Sequence, residues 1–322
     1  MKHIRLLAAA ALFLVLTAVP SLVFFFRSPV LVVTDTPFIA LYGAARIKRQ
    51  QVFASLALFR LVKPVLIADG ASPDIIIAAI NTASPKPFCV IFPRNHAVPA
   101  ERYHRESAGI PTVLIGGLAP NLPAAGEDGF FCVYGTDRNT DLYRAGLMAG
   151  ILGGIGKPSR QAEEEAAAEQ RTVVLFTDRF VHDEGKELFL QGVREQDPEL
   201  AVLFVSVLSQ MPEPRKIACT VLTGAGAEYL ERDPRMPVIL FSWLDSFFTA
   251  REIMVVFDDS SWAVTVSAVR MAVKKQGGGN IPSKPLIFPA KITDNDIFRE
   301  LKKSAEKNII TMTDFSGVVD KD

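Results

Sequence analysis

The feature that most constrains this chain is a recurring unit. A short run of Val, Ile, Leu and Phe, with no alternation of polar residues, is closed by a turn residue and followed by a helical pattern. Such a run must be buried on both faces, the condition of a strand inside a parallel sheet. One series of runs falls at residues 30–33, 64–68, 88–92, 112–115 and 130–134, and a second at 172–176, 202–207, 219–222, 238–241 and 253–257. Amphipathic stretches lie between them, as at 141–155, 182–196 and 262–276. Strands alternating with helices predict an α/β fold of doubly wound parallel sheets, and two series predict two lobes. A length of 322 residues agrees, since roughly 150 residues suffice for a domain with its own core. Near the end, Gly277–Gly279 with Pro282 predict a helix end and a turn, and 285–288 one more strand. Residues 294–307 predict a terminal amphipathic helix capped by Asp294. The Glu- and Ala-rich stretch 158–171 reads as a solvated connection.

Composition removes several classes of function. With 35 basic and 35 acidic side chains the charge cancels, which argues against a basic nucleic-acid binder. Three cysteines cannot build a disulfide scaffold, and no Cys/His cluster has metal-ligand spacing. Cys89, Cys132 and Cys219 sit in or beside apolar runs and read as small hydrophobes. Gly156-Lys157 lacks a phosphate loop's first glycine, and Pro158 stands where Ser or Thr would hold magnesium. No GxGxxG follows the first strand and no GxSxG elbow is present. His96, His104 and His182 are scattered and read as polar surface residues. The chain is therefore expected to be no enzyme and to use no cofactor or metal.

The N-terminus has another logic. Lys2 and Arg5 precede an apolar run, 6–26, interrupted only by Thr17, Pro20 and Ser21 and closed by Arg27. This is the secretory pattern, and the run also reaches the ~20 residues that span a bilayer. Bulky Val23, Phe24, Phe25 and Phe26, with no small-residue cleavage site, favour retention as a membrane anchor. The basic residues ahead of the run place the N-terminus inside and the body of the chain outside the cytoplasmic membrane. Residues 1–27 are thus a signal peptide or anchor.

In open α/β sheets ligands bind beyond the carboxyl ends of the strands. Those ends carry Asp35 and Phe38, then Asp69, Arg94 and Arg138 in the first series. In the second they carry Arg179 and Phe180, Trp243 and Asp245, and Asp258 beside Asp259. Acids and arginines with aromatics suit a polar ring-bearing ligand, its faces covered by rings and its edges hydrogen-bonded. The candidate ligand-binding set is Asp35, Phe38, Arg138, Arg179, Phe180, Trp243, Asp245 and Asp258. Asp after a strand is also a common helix cap, and Asp141, Asp245 and Asp259 stay open to that reading.

Four stretches together resemble the type I periplasmic binding proteins, relatives of ribose-binding protein, of the lac repressor core and of the basic membrane lipoprotein nucleoside binders. These are Thr36-Pro37-Phe38, Gly135-Thr136-Asp137-Arg138 leading into the small-residue helix 143–150, Gly185 through Phe189 to Gly192, and Val255-Val256-Phe257-Asp258-Asp259. The resemblance implies lobes of 28–137 plus 260–288 and of 138–259 plus 289–322. It implies hinges near 135–139, 259–262 and 285–289, and closure of the lobes over a small molecule for delivery to an ABC permease. Phe38 and Trp243 would then cover the ligand, with Asp258, Arg138 and Arg179 as polar contacts. Asp183, Leu244-Asp245 and Gly116-Gly117 replace the family's sugar-holding Arg, Asn-Asp and Asp-Arg, so a nucleoside is implied as readily as a sugar. A membrane-tethered sensor or structural module of the same fold is the alternative.

Overall fold

The computed structural model describes residues 24, 26–107, 109–115, 131–154, 171–177, 181–213, 216–223, 237–241, 253–288 and 294–308. The expected anchor, up to residue 23, and most of the 158–171 connection lie outside them. In chain order the first elements are β1 (Val30–Asp35), α1 (Thr36–Tyr42), α2 (Ala44–Leu58), β2 (Val62–Ile67), α3 (Pro73–Asn81) and β3 (Cys89–Pro93). A 3-10 turn (Arg94–His96), α4 (Ala97–Glu106), β4 (Thr112–Ile115), β5 (Phe131–Thr136) and α5 (Arg138–Gly153) follow. Next come β6 (Thr172–Phe176), α6 (Asp183–Gln196), β7 (Ala201–Val205), β8 (Ile217–Leu222), β9 (Val238–Phe241) and β10 (Ile253–Asp258). The last are α7 (Ser261–Val273), β11 (Gly278–Ile281), β12 (Lys284–Ile287) and α8 (Asn295–Glu306).

These elements form two compact units, one of Met1–Gly135 with Ser260–Ile281 and one of Thr136–Asp259 with Pro282–Asp322. Each holds a six-stranded sheet, in the orders β11-β5-β4-β3-β1-β2 and β12-β10-β9-β8-β6-β7. Both are doubly wound in the same way: the first strand of each series lies between the second and the third. The protein is thus an α/β fold of two predominantly parallel sheets.

Burial explains the apolar runs. In the first unit Val30, Val32, Val90 and Ile91 have no exposed surface. Leu31, Val33, Val90 and Phe92 pack against Ile76, Ile77 and Ile80 of α3 and Ala100 and Tyr103 of α4. The strand period of two sends their neighbours to the opposite face, where α2 and α7 pack on each other. There the Trp262 indole N–H, itself buried, donates to Thr34 Oγ1 at 3.0 Å. Edge strand β2 mixes buried and exposed positions, and Pro64, which lacks an N–H, is tolerated there.

The second unit is organised around α5, most of whose residues are buried. It crosses α6 with backbones in contact. A Cβ on Gly146 would lie 2.2 Å from the Phe189 carbonyl oxygen, and one on Gly192 2.3 Å from that of Tyr143. Only Gly153 turns toward Leu200, Ala218 and Val173. Cys89, Cys132 and Cys219 are buried and stand outside any disulfide.

Two expectations change. The third crossing between units falls at Ile281/Pro282, not at 285–289, because β12 pairs antiparallel with β10 in the second sheet. The boundary implied at 288/289 therefore moves back to 281/282. The Gly-rich stretch expected as a turn includes an edge strand, β11, next to β5. Gly278 and Gly279 reach it with φ of 153° and 148°, values open to glycine.

The α5–α6 contact yields the first prediction. Gly192→Ala should destabilise the protein by about 1–3 kcal/mol, because backbone atoms cannot yield and the helices must separate. Gly154→Ala, whose nearest neighbour is 3.4 Å away, should change stability little. Urea melts of both variants check this; equal midpoints would mean that the close approach is absent.

Candidate functional site

A doubly wound sheet opens a crevice where the connections on either side of its first strand diverge. In the first unit that point lies between the carboxyl ends of β1 and β3. Asp35, the last residue of β1, caps α1: its Oδ1 accepts from the Phe38 N–H at 2.8 Å. Its Oδ2 accepts from Asn95 Nδ2 at 2.7 Å, in the 3-10 turn that follows β3. His96 Nε2 stands 3.4 Å from the same oxygen, within ion-pair reach but out of hydrogen-bond alignment. Burial holds the imidazole below its ordinary pKa, and Asp35 pulls the other way without prevailing. Near neutral pH the ring is therefore mainly uncharged. Phe38 is half-buried and stacks on Tyr42, with centroids 4.8 Å apart and planes at 19°. The turn is braced on both sides. Thr36 Oγ1 donates to the Ile67 carbonyl of β2 at 3.1 Å, and Thr34 receives the Trp262 indole.

Asp35 and Phe38 are thus brought together as expected of neighbours in one turn. Asn95 and His96 join them, and sequence reasoning missed both. His96, expected to be a surface residue, has a side chain only 12% exposed beside Asp35. The available signal was its place just past the third run, which the 2-1-3 strand order sets next to the first.

In the second unit, Arg138 opens α5 just inside Asp137, whose Oδ1 and Oδ2 accept from the Thr140 N–H and hydroxyl at 3.1 and 2.9 Å. Asp258 ends β10 with no exposed surface, in register with Lys284 of β12. Burial lowers the Lys284 ammonium pKa, and Asp258 opposes that shift. Two of the acids left open as caps have other roles. Asp259 Oδ2 accepts from Thr136 Oγ1 at 3.2 Å. Asp141, wholly buried, accepts the Ser283 N–H with both oxygens at 2.9 and 3.1 Å. Burial pushes its carboxyl up to about 8, against the Ser283 bonds and Arg144, with Asp259 adding to the rise. Thr136, Asp259 and Ser283 are each the second unit's residue at, or next to, a crossing. These bonds tie the unit's three entry points to its own framework. Arg179, Phe180, Trp243 and Asp245 lie outside the described residues. Among the described residues no group of His, Cys, Asp and Glu side chains could hold a metal ion.

No family model matches the chain, and no curated protein sequence matches it. Solved structures similar to it include a solute-binding protein of an ABC transporter system from Aeropyrum pernix, at 11% identity and a TM-score of 0.43, covering 88% of this chain and 87% of that one. The arabinose-binding protein AraP from Geobacillus stearothermophilus is 14% identical with a TM-score of 0.42, covering 77% and 87%. A 5-methylthioribose transporter solute-binding protein from Thermotoga lettingae is 12% identical with a TM-score of 0.40, covering 90% and 96%. Likeness of this degree carries no ligand over to the present chain.

Asp141 and His96 can each be followed by titration. Asp141 has a folded pKa of about 8, against an unfolded value near ~3.9. Its contribution to stability is full below the unfolded value. It is lost as pH rises toward the folded one, by roughly 1.4 kcal/mol per pH unit in between. Asp141→Asn keeps an acceptor for Ser283 without that loss, so its stability relative to wild type should improve steadily from acid to neutral pH. Urea melts across that range test this, and a pH-independent difference would sink the assignment. By NMR the His96 ring should titrate below ordinary imidazoles, and lower still in Asp35→Asn. An upward move in that variant would mean that Asp35 does not act on the ring as placed.

Proposed function

We propose that the chain is an extracytoplasmic solute-binding protein. It takes a small polar ring-bearing ligand, of the sugar or nucleoside class, at the carboxyl ends of its strands and delivers it to an ABC permease. The observation that carries this reading is the cluster of Asp35, Asn95 and His96 at the strand-order switch point of the first unit. An acid, a neutral imidazole and an amide there offer acceptors and donors to ring hydroxyls, and Phe38 offers an aromatic face. Arg138, Arg179, Phe180, Trp243, Asp245 and Asp258 are the proposed contribution of the second unit. Asp258 has no exposed surface, so a ligand contact from it requires displacing what encloses it. Asp35 is therefore the better first target. A ligand drawing on both units favours a closed state over an open one.

Calorimetric titration of a panel of sugars, nucleosides and amino acids tests this. At least one member should bind. Asp35→Asn, which keeps the α1 cap, should weaken binding about tenfold through loss of a charge-assisted hydrogen bond. The second reading, a membrane-tethered sensor or structural module, is favoured by the apolar run 6–26. It takes over if no panel member binds and small-angle scattering shows no compaction with cell extract.

A further inference from the structure

The first unit has a second surface unlike the rest of the chain. Along the outward face of α2 lie Lys48 and Arg49, then Val52, Phe53 and Leu56, so the face begins basic and ends apolar. Val52, Phe53 and Leu56 are 53%, 50% and 70% exposed, and Phe59, just past the helix, is 43% exposed. Apolar groups exposed contiguously on this scale mark an interaction site. α7 packs beside α2, with Arg270 Nη2 donating to the Ala57 carbonyl at 3.5 Å. It adds exposed Val273, and Lys274 and Lys275 follow. Neither helix, nor the turn after α7, contains an Asp or Glu, although the chain as a whole is balanced. The opposite helical layer, α3 and α4, mixes both signs, as in the Arg102 pairs with Asp74 and Glu106.

The position of this patch names its occupant. Phe24 and Phe26 are the end of the apolar run 6–26. Phe24 packs edge-on against Phe59 with centroids 5.8 Å apart, and the Arg27 guanidinium carbon lies 5.1 Å from the centre of the same ring. The run long enough to cross a bilayer thus leads directly into the apolar end of α2. We infer that α2, with the end of α7, lies on the lipid surface. Val52, Phe53, Leu56 and Phe59 sit among the upper acyl chains, and the basic residues sit on anionic headgroups. Exposed apolar groups bordered by long basic side chains, with no acids among them, suit an anionic lipid surface, since the basic groups reach the headgroups while the apolar ones enter the acyl chains. A second copy or a permease could cover an apolar face. Neither accounts for the missing acids or for the patch standing where the run ends. The inference presupposes that the run 6–26 is in the bilayer, and it is independent of any ligand.

The test uses the full chain reconstituted into vesicles of equal parts phosphatidylcholine and phosphatidylglycerol. The native thiols are buried, so a single environment-sensitive fluorophore can be attached at Val52→Cys or at Val98→Cys. Val98 is an equally available control on α4, 69% exposed in the other helical layer. Spin-labelled lipid should quench the probe at 52 and shift its emission to the blue, and leave the probe at 98 unaffected. Combining Lys48→Glu with Arg49→Glu should cut that quenching about tenfold on these anionic vesicles, and far less on pure phosphatidylcholine. Circular dichroism and the amount of protein held by the vesicles should not change. Equal quenching at both positions, no quenching at 52, or a full chain that does not associate with vesicles would overturn the inference. Protection of the probe at 52 that appears in detergent and grows with protein concentration would overturn it in favour of a second copy.

Discussion

The second unit rests on the contact of two backbones. Gly146 and Gly192 let α5 and α6 approach until the carbonyls of Phe189 and Tyr143 touch the opposing helix where side chains would stand. That contact fixes the position of α5, and α5 distributes it. Asp141 holds the Ser283 N–H at the start of the third crossing, and Arg144 Nε donates to the Lys307 carbonyl at 2.6 Å near the end of α8. A helix one side chain farther from its neighbour would carry both polar groups away from their partners. A buried carboxyl without its N–H, or a buried guanidinium without its carbonyl, costs far more than the bond contributes. The small residues of α5 are therefore the condition on which its polar residues can be placed.

The first unit solves a related problem at its strand ends. Asp35 sits where backbone turns from strand to helix, and its two oxygens are divided between the α1 amide and Asn95 of the turn after β3. The side chain joins two loops that lie some 60 residues apart in the chain and that the strand order brings together in space. Thr34 and Thr36 on either side of it are bonded to Trp262 and to β2, so the acid is presented from a braced turn. Such preorganisation reduces the ordering that a ligand would otherwise have to impose.

The sheets were legible in the sequence because two-sided burial leaves a distinct trace. Every one of the ten apolar runs corresponds to a strand, with shifts of a residue or two at the ends. The α8 cap at Asp294, which accepts from the Asp296 and Ile297 N–H groups, was legible because capping is local. What escaped was non-local. The edge strand β11 carries no apolar run, and only its pairing with β5 defines it. The third crossing depends on which sheet accepts β12, a choice made by β10 rather than by residues 285–288 themselves. His96 looks like a loop histidine until β1 and β3 are set side by side. Asp141 looks like a cap until Ser283, 142 residues away, arrives at its oxygens.

The three crossings also set a timetable. The first unit lacks α7 and β11 until the chain has been synthesised as far as Ile281, and the second lacks β12 and α8 until later still. A domain normally folds as it emerges from the ribosome. Here Trp262, which fills the α2–α7 layer and receives no solvent, reaches its place only after the whole middle of the chain has been made. The second unit completes its core last, when α8 brings Leu301 into it. In a nascent chain the face of the first sheet that α7 covers therefore stays incompletely buried until most of the second unit's strands have been made.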